Sequence, residues 1–95
     1  MAKSIMQEEK CCCICGTTQN LHEHHVIYGT ANRKMSEKYG LKVWLCQEHH
    51  TGENGVHHNP YLDDELKKQA EIKWLLDDDT RSIRDFRIIF GKNYL

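Results

Sequence analysis

The chain has 95 residues, 39% of them hydrophobic, and its 13 basic and 14 acidic residues leave a formal net charge of −1. That is one domain rather than several, and it excludes the overall positive charge of a non-specific nucleic-acid coat protein. Five cysteines, an odd number, exclude a complete disulfide set, and no apolar run approaches the roughly 20 residues of a membrane span.

Residues 1–10, MAKSIMQEEK, read as a flexible polar leader. The stretch lacks the apolar centre of a secretory signal, so a reducing, cytoplasmic setting and thiolate–metal chemistry are expected. Residues 11–58 hold the cysteines and histidines. CCCICGTTQN is a Cys-rich turn, and LHEHHVIY reads as a short strand ending at Gly29. GTANRKMSEKYG is a Gly-bounded connection with room for one helical turn. LKVWLC, β-branched and aromatic, reads as a second strand. QEHHTGENGVHHNP is a loop that can open with a helical turn and is punctuated by Gly52, Gly55 and Pro60.

Residues 59–95 read as helical. Asn59 and Pro60 form an N-cap and first-turn proline, and Asp63 and Asp64 suit the positive end of a helix. Leu62, Leu66, Ala70 and Trp74 recur every four residues, with Ile72, Leu75 and Leu76 widening the apolar face. Thr80 is the expected cap of a second helix, with Ile83, Phe86, Ile89 and Phe90 as its buried stripe and Gly91 as its stop. Trp44 and Trp74 are both expected in the core.

A chain this short and polar needs a staple. Cys12 and Cys15 form a Cys-x-x-Cys followed by Gly16, and Cys46 and His49 repeat the two-residue gap as Cys-x-x-His. Such pairs aim four soft or borderline donors at one tetrahedral ion, which makes structural zinc the expected cofactor. Cys11 and Cys13 have no clear role; either could replace Cys12 in a shifted register. Of seven histidines the zinc site uses one, and six remain. All lie between residues 22 and 58, and His22 is expected at a strand edge.

The elements CxxCG, LHEHHVI, LKVWLCQEHH and VHH, in that order over residues 12–58, resemble the HNH nucleases of the His-Me finger (ββα-metal) superfamily. More narrowly they are similar to small phage-encoded HNH proteins, including the RecA-dependent phage nucleases. The resemblance implies a small α+β, zinc-stapled, treble-clef-like domain with two further C-terminal helices. It implies metal-dependent hydrolysis of DNA phosphodiester bonds leaving 5′-phosphate and 3′-hydroxyl ends. His24 and His50 would hold a catalytic divalent metal (Mg2+, Mn2+, Ni2+ or Zn2+), His25 would be the general base, and His57 or His58 would complete the site. The family's usual Asn in the second strand is absent; Leu41 and Lys42 stand near that position, with Asn32 in the connecting loop as a substitute.

Arg33, Lys34, Lys38 and Lys42 are expected to contact phosphates flanking the cut, as positioning contacts. Arg81, Arg84 and Arg87, spaced every three residues, are expected on a wet helix face. DNA is the expected partner, with a phage or host recombination protein as a further one. The alternative is a non-catalytic zinc module that binds DNA or a phage recombination or replication protein.

Overall fold

The computed structural model describes residues 3–95. The order is β1 (Leu21–His25), α1 (Thr30–Tyr39), β2 (Lys42–Cys46), α2 (Gln47–His50), α3 (Pro60–Asp77) and α4 (Ile83–Phe90), a small mixed α+β fold with a two-stranded sheet. No helix among the described residues is long and apolar enough to cross a membrane.

β1 and β2 pair antiparallel with His25 opposite Lys42, His24 opposite Val43 and His22 opposite Leu45. Side chains alternate across a strand, so His22 and His24 share the inner face with the buried Val43 and Leu45. Glu23, His25, Lys42 and Trp44 share the other.

The connection between the strands is a ten-residue helix rather than a single turn. Gly40 ends α1 at φ 74, where an L side chain is strained, and Leu41 N–H donates to the Ser36 carbonyl (2.8 Å). Ser36 Oγ in turn donates to the Ile27 carbonyl (2.7 Å), which clamps α1 onto the end of β1. A Cβ at Gly40 would also collide with the Lys3 carbonyl. That close approach exists because the leader is tied down from residue 3 onward, contrary to expectation. Ile5 N–H donates to Gly40 O (2.9 Å), Ser4 Oγ donates to Lys42 O (2.5 Å), and Gln7 Oε1 accepts from Trp44 N–H (2.9 Å). Residues 1 and 2 of that leader lie outside the described residues.

α3 starts as its sequence dictates: Asn59 caps the Leu62 N–H (3.1 Å) and Pro60 opens the first turn. Thr80 does not cap α4. It donates to Asp78 Oδ1 through both its N–H and its hydroxyl, and Ser82 forms a reciprocal capping box with Asp85 instead. Arg81 therefore precedes α4 and is not part of a wet arginine face. It donates to Trp74 O (2.9 Å) and lies over the Trp74 ring at 4.5 Å. Arg84 and Arg87 are exposed.

The core joins both halves. Val26, Ile27, Leu41, Val43, Leu45 and Val56 pack with Ala70, Trp74, Phe86 and Phe90. Trp74 and Phe86 meet edge-on with ring centres 5.5 Å apart. Trp44 is only half-buried, on the outer face, under Lys10. Leu76 and Ile83, assigned by periodicity to apolar stripes, are exposed; a stripe read every three or four residues overestimates the width that one small core can cover.

Glu71 is the polar exception. Fully buried, it accepts from Tyr94 N–H (2.6 Å) and Asn93 Nδ2 (2.9 Å), anchoring the C-terminal segment. Glu71→Gln presents an amide to one of these two donors, and a buried mismatch of this kind costs about 1–3 kcal/mol. Urea unfolding should show that loss, with freed signals from residues 92–95 in NMR spectra; an unchanged midpoint would contradict the anchoring role.

Candidate metal centres

The Cys-rich turn closes on itself through Gly16 N–H to Cys12 O (2.8 Å), with Gly16 at φ 80. Cys13 N–H bonds to Trp44 O (2.9 Å), which docks the turn on β2. α2 begins immediately after Cys46, so its first turn carries His49 back toward the same point. Cys12, Cys15, Cys46 and His49 each bring one donor atom within 4.8 Å of the others. Cys15 Sγ to Cys46 Sγ is 3.8 Å, Cys12 Sγ to His49 Nδ1 is 3.7 Å, and Cys46 Sγ to His49 Nδ1 is 3.2 Å. A tetrahedral zinc ion with Zn–S bonds of about 2.3 Å spaces its sulfurs about 3.8 Å apart. The spacing fits, and the foursome can hold a structural metal such as zinc.

Electrostatics agree with that use. Burial pushes the Cys12 thiol up, but backbone N–H groups of Cys15, Cys46 and Ile14 outweigh it and bring the pKa down to about 6. The thiolate is the ligating form. Cys11 and Cys13 lie outside the foursome; Cys13 is exposed and Cys11 sits beside the Gln7 amide. All five cysteines are free thiols.

A second convergence lies one residue further along α2. Consecutive helical residues point about 100° apart, so His50 turns away from the cysteines and toward β1. His24, His50 and His57 bring one ring nitrogen each within 4.8 Å of one another. His50 Nε2 and His57 Nε2 are 3.4 Å apart, close to the spacing that bonds of about 2.0–2.1 Å to one tetrahedral ion produce. His57 arrives because the loop folds over α2: Val56 N–H donates to His49 O (3.0 Å), and Gly55 passes so near His50 that a Cβ would overlap its carbonyl. His58 does not join. Its backbone N–H closes a turn on Gly55 O (3.0 Å), and its ring lies outside the trio.

His24 is 3% exposed, and its Nε2 is buried without a hydrogen-bond partner. Such an orphan is costly unless something meets it. Burial, reinforced by the rings of His50 and His57, holds its pKa down to about 4, and burial with His57 and His22 also lowers that of His50. Neutral imidazole is the form that ligates a metal. The orphaned nitrogen and the donor chemistry both fit a metal centre.

His25 leaves the strand on the opposite side from His24, yet lines the same small cavity, about 270 Å³, with His50, His57 and Arg33. Its Nε2 lies 3.9 Å from Glu37 Oε1. Glu37 is held by Lys42 Nζ at 2.5 Å, which also lies 3.5 Å from Glu23. Hydrogen bonding to Lys42 keeps the Glu37 carboxyl below its ordinary range. Burial works against the Lys42 ammonium, but Glu37 and Glu23 prevail and keep it charged.

This corrects the role expected for Lys42, which is 4% exposed and committed to an internal ion pair. It does not present its charge to phosphate. Arg33, Lys34 and Lys38 are exposed on α1, and Arg33 and Lys34 line an open cavity of about 620 Å³ beside His25. Asn32 donates to Phe90 O (3.2 Å) and tethers α4, so it does not stand in for a strand Asn. Two residues near the site were not expected there: His22, expected only at a strand edge, and Glu37, which the sequence did not single out. His22 Nδ1 meets His50 Nδ1 at 3.0 Å, and its position two residues before His24, hence on the same strand face, is the signal that finds it. Glu37 has no comparable signal, because it reaches His25 from another element.

No protein-family model, curated protein or solved structure matches this chain. Cys46→Ser or Cys15→Ser is expected to abolish zinc in the purified protein and to melt the N-terminal half. Zinc in finger peptides supplies about 10–16 kcal/mol of apparent binding free energy. Metal analysis with far-UV circular dichroism and the thermal midpoint checks this; an unchanged midpoint would show that the foursome is not a staple.

Proposed function

We propose that the chain is a metal-dependent endonuclease of the HNH type that hydrolyses DNA phosphodiester bonds, built on a zinc-stapled, treble-clef-like ββα-metal core. The observation that carries this reading is the convergence of His24, His50 and His57 in one small cavity with a further imidazole, His25, and the guanidinium of Arg33. Structural zinc needs none of these groups. A buried imidazole nitrogen without a partner beside two other rings is costly in a mere scaffold and is met by a bound cation.

A divalent cation held by His24, His50 and His57 would supply Lewis-acid polarisation of a phosphate oxygen and stabilise charge on the leaving oxygen. An all-imidazole set favours Mn2+, Ni2+ or Zn2+ over Mg2+, which prefers oxygen donors. His25 supplies the proton acceptor. Its Nε2 side faces Glu37, which leaves Nδ1 for an attacking water. The water oxygen bonds to phosphorus, its proton passes to His25, the P–O3′ bond breaks, and the leaving O3′ takes a proton from a solvent water, which gives 5′-phosphate and 3′-hydroxyl ends. Arg33 and Lys34 hold the flanking phosphates, with Lys38 further along the exposed side of α1.

The rival reading is a non-catalytic zinc module that binds DNA or a phage recombination or replication protein. One observation favours it: the second strand has no Asn of the kind the nuclease family carries, and Lys42, near the expected position, is locked to Glu37. One assay separates the two. Plasmid nicking with Mn2+, Mg2+ or Ni2+ is expected for the wild type, and His25→Ala should slow it by about 10²–10⁴-fold, the usual contribution of a general base. Equal cleavage by both proteins excludes His25 as the base. A wild type that binds plasmid and one zinc but never nicks it, with any of the three metals, favours the rival.

A further inference from the structure

His50 is approached at both of its ring nitrogens by another imidazole. On one side His22 Nδ1 lies 3.0 Å from His50 Nδ1, the two rings meeting edge-on at 80°. On the other, His57 Nε2 lies 3.4 Å from His50 Nε2. A neutral imidazole has one N–H and one lone pair, so the proton of His50 has two possible destinations. Placed on Nε2, it points at His57, and the His24, His50 and His57 set loses a donor at His50 and has the His57 lone pair occupied. Placed on Nδ1, it is donated to His22, and both Nε2 lone pairs stay free. His22 does not belong to the ligating trio, but strand alternation puts it on the same face of β1 as His24, and from there it reaches the far edge of His50.

We infer that His22 is a positioning residue for the second metal centre: it accepts the Nδ1 proton of His50 and so aims the His50 Nε2 lone pair into the space shared with His24 and His57. The inference rests on reading those three histidines as a metal site. Its chemistry is that of the outer partner that fixes the tautomer and orientation of a metal-bound histidine, here supplied by a second imidazole instead of a carboxylate or carbonyl. His22 must then carry its own proton on Nε2.

The test uses the full chain with its zinc in place and Ni2+ as the probe. Calorimetric titration is run on wild type, His22→Phe, which keeps a ring but has no acceptor, and His22→Asn, whose Oδ1 stands where Nδ1 did. Loss of an outer partner costs about 10–100-fold in metal affinity. His22→Phe should weaken Ni2+ binding by that factor, whereas His22→Asn stays near wild type. Long-range 15N–1H correlation of the Ni2+-free protein should show His50 protonated on Nδ1 in wild type and His22→Asn, and on Nε2 in His22→Phe. Should His22→Phe lose zinc and unfold, the wild-type tautomer and the His22→Asn affinity decide. Wild-type His50 protonated on Nε2, or equal Ni2+ affinity in wild type and a folded His22→Phe, overturns the inference. A wild type that binds no Ni2+ while His50 is protonated on Nδ1 overturns the metal reading itself and supports the His22 hydrogen bond.

Discussion

Everything in the N-terminal half depends on four soft donors from distant parts of the chain meeting at one point. Cys12 and Cys15 sit on a turn before β1, while Cys46 and His49 sit where β2 becomes α2. Closing that distance brings the two strands together at one end and fixes the rotation of α2 about its axis. The rotation matters because His49 and His50 are neighbours on a single helical turn. Once His49 faces the thiolates, His50 must face β1. The loop after α2 obeys the same anchor: Val56 bonds to the His49 carbonyl, and His57 follows it onto His50. The cysteine site therefore acts on the histidine trio through geometry, without sharing a ligand with it.

The helical half supports this arrangement from behind. Ser36 ties α1 to Ile27, Asn32 ties α1 to the end of α4, and Trp74 and Phe86 fill the space between. α3 also reaches the rim of the trio. Tyr28 donates to Asp63 (3.0 Å), Lys67 holds the same carboxylate at 2.8 Å, and the Tyr28 ring lies beside both His24 and His57. Tyr28 thus links α3 to the imidazole cluster.

Features carried by short spacings were legible in the sequence. The two-residue gaps of the cysteine and Cys-x-x-His pairs, the Asn59–Pro60 start of α3 and the β-branched second strand all encode their geometry locally. Features that depend on contact between distant elements were not. α1 has few apolar residues, chiefly Met35 and Tyr39, so its ten residues lacked the periodic signal that reveals a helix. Its C-terminal stop at Gly40 read as a loop boundary. The leader read as frayed because its composition is polar, yet Ser4 and Gln7 use that polarity to bond to the β2 backbone. Lys42 shows the same limit most sharply. A lysine in a strand looks like a surface cation, and only the position of Glu37 on another element makes it an internal one.

That internal pair bears on the chemistry of β1. The strand sends His22 and His24 to one face and Glu23 and His25 to the other, where Glu37 reaches over from α1, so two carboxylates gather beside His25. Left bare, they would form a patch of negative charge able to attract a stray cation; indeed Glu23, His25 and Glu37 together bring donors within 4.8 Å of one another. Lys42 already occupies that position with its own ammonium, 2.5 Å from Glu37 and 3.5 Å from Glu23. It offsets the negative charge from inside, while the exposed Arg33 and Lys34 place positive charge on the neighbouring surface of α1. The register reinforces the point, since Lys42 is the residue opposite His25. Lys42 on β2 thus holds the Glu37 carboxylate against the Nε2 side of His25, so the setting of that imidazole is governed by an ion pair between the strand and α1.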